Sequence, residues 1–280
     1  MKHLYRIILS TLLLLPFSAA AKSPAGPDTL KVISYNIRTG EANDGTNSWD
    51  FRYPATILML RDEKPDVFGL QEAMGYQVKF IEENMKEYKA FGVGRENGKD
   101  EGEFMSIFYN KSKVKIGKKG TFWLSEQPDK PTKGWDAACK RTATWAFMKM
   151  KRSKQEFIYV NTHLDHKGEE ARREGLALIV RKIAAMNPQN LPVILTGDFN
   201  VEPGDSCLEA LTGKMVSTRK IADKTDQHAT FNDWGRKELI IDYIYESGFT
   251  KVPEFETVTK KYENWKYISD HFPISATLIF

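Results

Sequence analysis

The residues able to do chemistry fall in five short polar clusters, each at the end of an apolar run: Tyr35-Asn36, Gln71-Glu72, Asn161-Thr162-His163, Gly197-Asp198-Phe199-Asn200 and Ser269-Asp270-His271. Strand ends converge on one face of an α/β sheet, where ligands usually bind. Glu72 offers hard oxygen donors suited to Mg²⁺ or Mn²⁺, not the thiolate or imidazole set expected for zinc. A histidine such as His271 can move a proton near neutral pH, provided a carboxylate fixes its tautomer. Taken singly each cluster is weak: an Asp-x-Asn after a strand is ordinarily a turn, and a lone histidine closing an apolar strand, such as His163, is ordinarily a satisfied core residue. Five clusters in strand-end positions are a different observation.

The elements that must position them are legible from periodicity. Leu30 to Ile37 is β-branched and bounded by turn formers, which predicts a buried strand. Ser48 or Asp50 can cap a helix whose apolar face includes Ile57, Leu58 and Leu60, and Pro65-Asp66 ends it before a second strand, Val67 to Glu72. Arg141 to Leu164 reads as a β-hairpin, Ala143–Met150 and Glu156–His163 around the basic turn Lys151–Lys154, a solvated turn. Leu176, Ile179, Val180, Ile183 and Met186 recur at helical spacing between Glu169 and Asn187. Further strands are predicted at Val193–Gly197, at Leu239–Tyr245 around Asp242, and at Ile274–Phe280. Strands alternate with helices early and with hairpins later, so the class is α/β in the α+β sense, with mixed sheets.

The chain has 280 residues, 41% hydrophobic and 28% charged, which excludes intrinsic disorder, collagen and a disulfide-dense scaffold. A single core can still serve roughly 250 to 300 residues, so one domain is expected over 30–280. Residues 1–21 read as a signal peptide, with Lys2 and Arg6 as its basic end, Ile7 to Phe17 apolar and Ser18-Ala19-Ala20-Ala21 a small-residue cleavage region. Residues 22–29 form a short leader. The expected location is therefore outside the cytoplasm, periplasmic or extracellular, with no transmembrane segment in the mature chain, since the apolar run is shorter than the roughly 18 residues a span requires. The formal charge is +4, two of it on Lys2 and Arg6, which offers no broad footprint for polyanions; nucleic acid stays open as a partner but is not favoured. Cys139 and Cys207 stay open between a disulfide and two buried thiols. Nothing in the sequence sets the oligomeric state.

In order along the chain, Tyr35-Asn36, Gln71-Glu72, Asn161-Thr162-His163-Leu164, Gly197-Asp198-Phe199-Asn200, Ile241-Asp242-Tyr243-Ile244 and Ser269-Asp270-His271-Phe272-Pro273 resemble the motifs of the endonuclease/exonuclease/phosphatase superfamily. The resemblance runs from Leu30 to the C-terminus. It implies a four-layer sandwich of two mixed β-sheets flanked by helices, and a metal-dependent phosphoesterase. Phosphoester cleavage needs a cation on the non-bridging oxygens, a base for water and donors for developing charge, and the clusters contain each part.

By the same resemblance Glu72 is the principal metal ligand, with Asn36 beside it and Asp270 contributing. Asp198 orients and deprotonates water, Asn200 donates to the phosphate, and His271 touches the phosphate or shares the proton with its tautomer fixed by Asp242. Deoxyribonuclease-like members imply that His163 contacts phosphate while paired with a Glu, for which Glu103 is the candidate. Arg141 resembles a phosphate-binding arginine, with a surface hairpin charge as the plain alternative, and Thr230 is a further phosphate-contact candidate. The chain departs from the abasic-site endonucleases after Asn36, where it carries Arg38 in place of an acidic residue. Asp165 and His166 receive no role.

The expected function is thus an exported Mg²⁺-dependent phosphoric ester hydrolase, Mn²⁺ substituting, with phosphodiesters favoured because deoxyribonuclease- and sphingomyelinase-like members share the two-histidine arrangement. An extracellular nuclease, a sphingomyelinase-like lipid phosphodiesterase using Phe122-Trp123 and Trp135 at a lipid interface, and a catalytically inactive secreted binding module stay open as alternatives; for those aromatics a core role is preferred.

Overall fold

The computed structural model describes residues 28–280, so the signal peptide and all but the last residues of the leader lie outside the described residues. In chain order the elements are β1 (Thr29–Asn36), α1 (Trp49–Glu63), β2 (Val67–Gln71), β3 (Ala73–Met74), α2 (Gly75–Asn84), β4 (Tyr88–Phe91), β5 (Glu103–Phe104), β6 (Ile107–Asn110) and β7 (Val114–Trp123). The second half supplies β8 (Thr142–Met150), β9 (Glu156–His163), α3 (Glu169–Met186), β10 (Val193–Asp198), β11 (Val216–Ser217), α4 (Thr218–Ile221), β12 (Asp242–Ser247), β13 (Lys251–Thr257) and β14 (Ile274–Ile279). One six-stranded sheet has the order β13-β14-β1-β2-β6-β4, the other β11-β12-β10-β9-β8-β7. Each is mixed: β1 and β2 are parallel, as are β9 and β10, while their remaining neighbours run antiparallel.

Three apolar layers separate four layers of structure. Leu30, Val32, Ile107, Phe157, Tyr159 and Ile244 fill the space between the sheets; Ile33, Phe68 and Leu70 pack under α1 and α2; Ile158, Val160 and Leu195 pack under α3. Because side chains alternate across a strand, each central strand serves two of these layers, which is why β1, β2, β9 and β10 read as continuous apolar runs.

One polar brace crosses the inter-sheet core. Gln71 Nε2 donates to Asn161 Oδ1 at 2.7 Å, and Asn161 Nδ2 donates to the carbonyls of Leu70 and Ser106. Gly69 is required for it, since a Cβ there would meet Asn161 Oδ1 at 2.4 Å.

The helix and strand limits differ from expectation in explicable places. Ser48 stands at the α1 N-cap without a side-chain hydrogen bond, and Asp50 lies in the first turn, where its charge suits the helix dipole. Lys64 ends α1 in the left-handed conformation just before Pro65. β12 begins only at Asp242, because Leu239 pairs with Phe231 and Ile241 accepts from Phe199 N–H. In β7 a register break falls between Ile116 and Lys119, Lys113 precedes the strand and pairs with Asp66, and Lys119 sits over the Phe91 ring. Phe122 and Trp123 are buried, with Trp123 Nε1 donating to Arg95 O, so they belong to the core. Cys139 and Cys207 are both free, and no helix among the described residues is long and apolar enough to cross a membrane.

Candidate active site

Parallel pairing sets the site. β1 and β2 end together, with Asn36 opposite Gln71, so Glu72 follows directly beside Asn36. In the other sheet His163 and Asp198 close β9 and β10 in register, and the antiparallel β12 opens with Asp242 opposite Asp198. The two sheets bring these ends together. Asn36 Nδ2 donates to Glu72 Oε1 at 3.0 Å and to Asp198 Oδ2 at 3.0 Å, and lies 3.4 Å from His271 Nε2. His271 Nδ1 meets Asp242 Oδ2 at 2.8 Å. Asn200 N–H donates to Asp198 Oδ1 at 2.9 Å, and Asn200 Nδ2 lies 2.9 Å from His163 Nε2.

Backbone strain concentrates here. Glu72 (φ 60°), Asn200 (φ 55°) and Arg38 (φ 58°) are all non-glycine residues in the left-handed region, a conformation asparagine tolerates but glutamate and arginine adopt at a cost of order 1–3 kcal/mol. That strain turns Glu72 off the end of β2 so that Asn36 Nδ2 and the Thr39 backbone N–H each reach one of its oxygens.

The electrostatics separate the groups into roles. Burial pushes the Asp198 carboxyl up to about 7, with Asp242 adding to the rise. Burial alone would depress His271, but the carboxylates of Asp242 and Asp198 outweigh it and hold the imidazolium up to about 10. His163 goes the other way: buried and close to Arg141 and Arg95, it is held well below its usual value and is neutral. Its Nδ1 is buried without a partner. Glu72 ionises in spite of burial because Asn36, His271 and Arg38 favour its charge, whereas burial and the Glu72 charge push Asp270 up.

These observations fit a divalent cation. Glu72 and Asp270 are like-charged carboxylates whose shared partner is Arg38 Nη1, at 3.9 and 3.5 Å. Glu72, His163 and Asp198 also offer ligand atoms within 4.8 Å of one another. The donors are mostly oxygens, as a hard cation prefers.

Asn36 stands beside Glu72, with Nδ2 donating to Glu72 Oε1 and Asp198 Oδ2 and Oδ1 accepting Arg38 N–H. Two sequence expectations need correction. Glu103 is not joined to His163; its carboxylate pairs with Arg95. Thr230 is fully buried, with Oγ1 accepting the N–H groups of Ile241 and Asp242, and it braces the start of β12.

Arg141 is buried, not a surface hairpin charge. Its Nε lies 3.3 Å from Asp165 and its Nη2 3.0 Å from His166 Nδ1. Asp165 also accepts the N–H groups of Ala138, Cys139, Lys167 and Gly168, which ties the approach to α3 onto the loop before β8.

Two arginines were not read from the sequence. Arg52 is fully buried in α1 without a carboxylate partner among the described residues, donating to the carbonyls of Asn47, Ile37, Ile268 and Arg38. It ties the segment after Asn36 to the segment before Asp270. Arg38, which stood out only as a departure from a motif, is the cation between the two acidic ligand candidates.

The endonuclease/exonuclease/phosphatase family profile matches residues 33–271. A family protein of Bacteroides thetaiotaomicron superposes with a TM-score of 0.86 at 37% identity, covering 91% of this chain and 98% of that one. A mannosyl-6-phosphatase of the same organism superposes with a TM-score of 0.85 at 37% identity, covering 90% and 100%. Nocturnin of Drosophila melanogaster is 24% identical over 225 residues, 70% of this chain but 32% of nocturnin. The chain belongs to the endonuclease/exonuclease/phosphatase family, whose members hydrolyse phosphoesters with the help of a metal ion.

Proposed function

We propose that the chain is an exported, Mg²⁺-dependent phosphoesterase, and that its substrate is a small or glycan-linked phosphoester, a sugar 6-phosphate in the first instance. The observation that carries the reading is the single hydrogen-bonded constellation of Glu72, Asn36, Asp198, His271 and Asp242 at the joined ends of the two sheets. The substrate class is supported by the likeness to the mannosyl-6-phosphatase along its whole length, and export by the signal-like first 21 residues.

Glu72 and Asp270 would hold the cation, which when bound polarises the non-bridging phosphoryl oxygens. Asp198, with a pKa lifted to about 7, is placed to take the proton of an attacking water near neutral pH. Asn36 and Asn200 fix the Asp198 carboxylate from both sides, so it needs no reorganisation to act. The imidazolium of His271, oriented by Asp242, would face a bound phosphoryl group through Nε2 and return a proton to the departing alcohol. Asn200 Nδ2 donates to the neutral His163 ring at Nε2 and holds it in place, and Arg141 adds positive potential behind His163.

Phosphodiester hydrolysis is the second reading, favoured by the pair His163 and His271 flanking one carboxylate at 3.4 and 3.7 Å.

The test measures phosphate release from mannose 6-phosphate and turnover of an aryl phosphodiester by one preparation, with an Asp198→Asn control. Chelation is expected to abolish activity and Mg²⁺ or Mn²⁺ to restore it. Full activity after exhaustive chelation, or restoration by zinc alone, contradicts the reading.

A further inference from the structure

We infer that Arg38, held by Asp44, is the residue that selects a phosphomonoester dianion over a diester; the inference rests on the phosphoesterase reading above and deepens it. The Arg38 guanidinium is anchored at one end only. Its Nε and Nη2 bind the two oxygens of Asp44 at 3.0 and 3.1 Å, a bidentate fork that fixes the plane of the group. The third nitrogen, Nη1, projects toward Asp270 Oδ2 and Glu72 Oε2 without a hydrogen bond to either, at 3.5 and 3.9 Å. The backbone beneath is held as firmly: Arg38 N–H donates to Asn36 Oδ1, and Arg38 O accepts from Arg52 and Gln77. Such anchoring sustains a left-handed arginine at φ 58°.

Once Glu72 and Asp270 give their charge to a bound cation, Asp44 still holds two nitrogens of Arg38, and Nη1 is left as a free charged donor at the edge of the phosphoryl site. A monoester near neutral pH carries close to two negative charges on three terminal oxygens. A diester carries one, and its second ester substituent replaces one of those oxygens. A fixed guanidinium beside the cation therefore stabilises the monoester by one more charge-assisted hydrogen bond than the diester can accept. Asp44 is half-buried, with 12% side-chain exposure, which limits competition by water at the fork.

The experiment uses substrates with one leaving group, p-nitrophenyl phosphate and methyl p-nitrophenyl phosphate, on the wild type and on Arg38→Met, Arg38→Lys and Asp44→Asn, with Mn²⁺ binding measured alongside. Arg38→Met is expected to lower kcat/KM for the monoester about 10²-fold, the usual effect of removing one transition-state donor, while the diester changes less than threefold and Mn²⁺ affinity is retained. Arg38→Lys and Asp44→Asn are expected to lose in the same direction, since a lysine cannot hold the fork and donate at once. These two variants read the effect if Arg38→Met fails to fold. Equal loss on both substrates, or a tenfold loss of Mn²⁺ affinity, overturns the inference and makes Arg38 an organiser of the cation site. A wild type inactive on both substrates overturns the phosphoesterase reading itself.

Discussion

Asp242 Oδ2 lies 2.8 Å from His271 Nδ1, and the two residues reach each other from different elements: Asp242 opens β12, while His271 follows Asp270 in the loop before β14. Both are buried, and the second Asp242 oxygen has no partner. The contact fixes which imidazole nitrogen faces Asp198 and Asn36.

Asp242→Asn should therefore leave the fold intact yet lower turnover by roughly 10²- to 10⁴-fold, because an amide can hold the ring but cannot sustain the imidazolium or its tautomer. The variant's pH profile distinguishes orientation from folding. Loss of the carboxylate lowers the His271 pKa from its raised value, so the high-pH limb of the profile should move to lower pH. A folded variant with wild-type turnover removes Asp242 from the proton path.

How much of this was legible depends on the range of the interaction. The central strands announce themselves because burial on both faces leaves no room for polar residues until the strand ends, and there Asn36, Glu72, His163 and Asp198 stand out against apolar runs. Helix α3 was readable from its apolar period, although the acceptor for its first N–H groups is Asp136, more than thirty residues before Ala171. Pairings across such distances leave no local trace. The choice of Arg95 over His163 as the partner of Glu103 is of this kind, and so is the use of Thr230 to brace β12 from a separate segment. The displaced start of β12 arises from a neighbouring segment, since Phe231 pairs with Leu239 and takes it out of the strand that the local apolar run suggests.

Asn161 shows the reverse error a motif can invite. It stands two residues before His163 on the same face of β9, but one step back from the strand end it lies between the sheets, where it becomes the brace with Gln71, Leu70 O, Ser106 O and the Thr196 hydroxyl. Asn161→Leu should lower stability by about 2–4 kcal/mol, since it strands several buried polar groups while conserving volume. The readout is the urea midpoint at an unchanged denaturant slope, with turnover of the folded fraction retained. Unchanged stability with collapsed turnover would place Asn161 in the chemistry instead.

Asp165 gives the fold a pH dependence whose sign can be fixed in advance. Burial opposes its ionisation, but the N–H groups of Gly168, Ala138, Lys167 and Cys139 converge on its two oxygens and hold the carboxyl well below the usual range. A carboxyl with a lower pKa in the folded than in the unfolded chain binds fewer protons when folded, so it stabilises the fold above the unfolded value of about 4 and loses that contribution as pH falls below it. Asp165→Asn keeps one acceptor oxygen and removes the charge. The gap in urea midpoint between wild type and Asp165→Asn should be widest near pH 7, hold to about pH 5 and narrow steadily from pH 4 toward pH 3. Arg141, which shares Asp165 Oδ2 with Cys139 N–H, should become freer in the variant, so phosphate-site binding is expected to weaken along with stability. A gap that stays constant from pH 7 to pH 3 would mean that Asp165 acts through the shape of its hydrogen bonds and not through its charge.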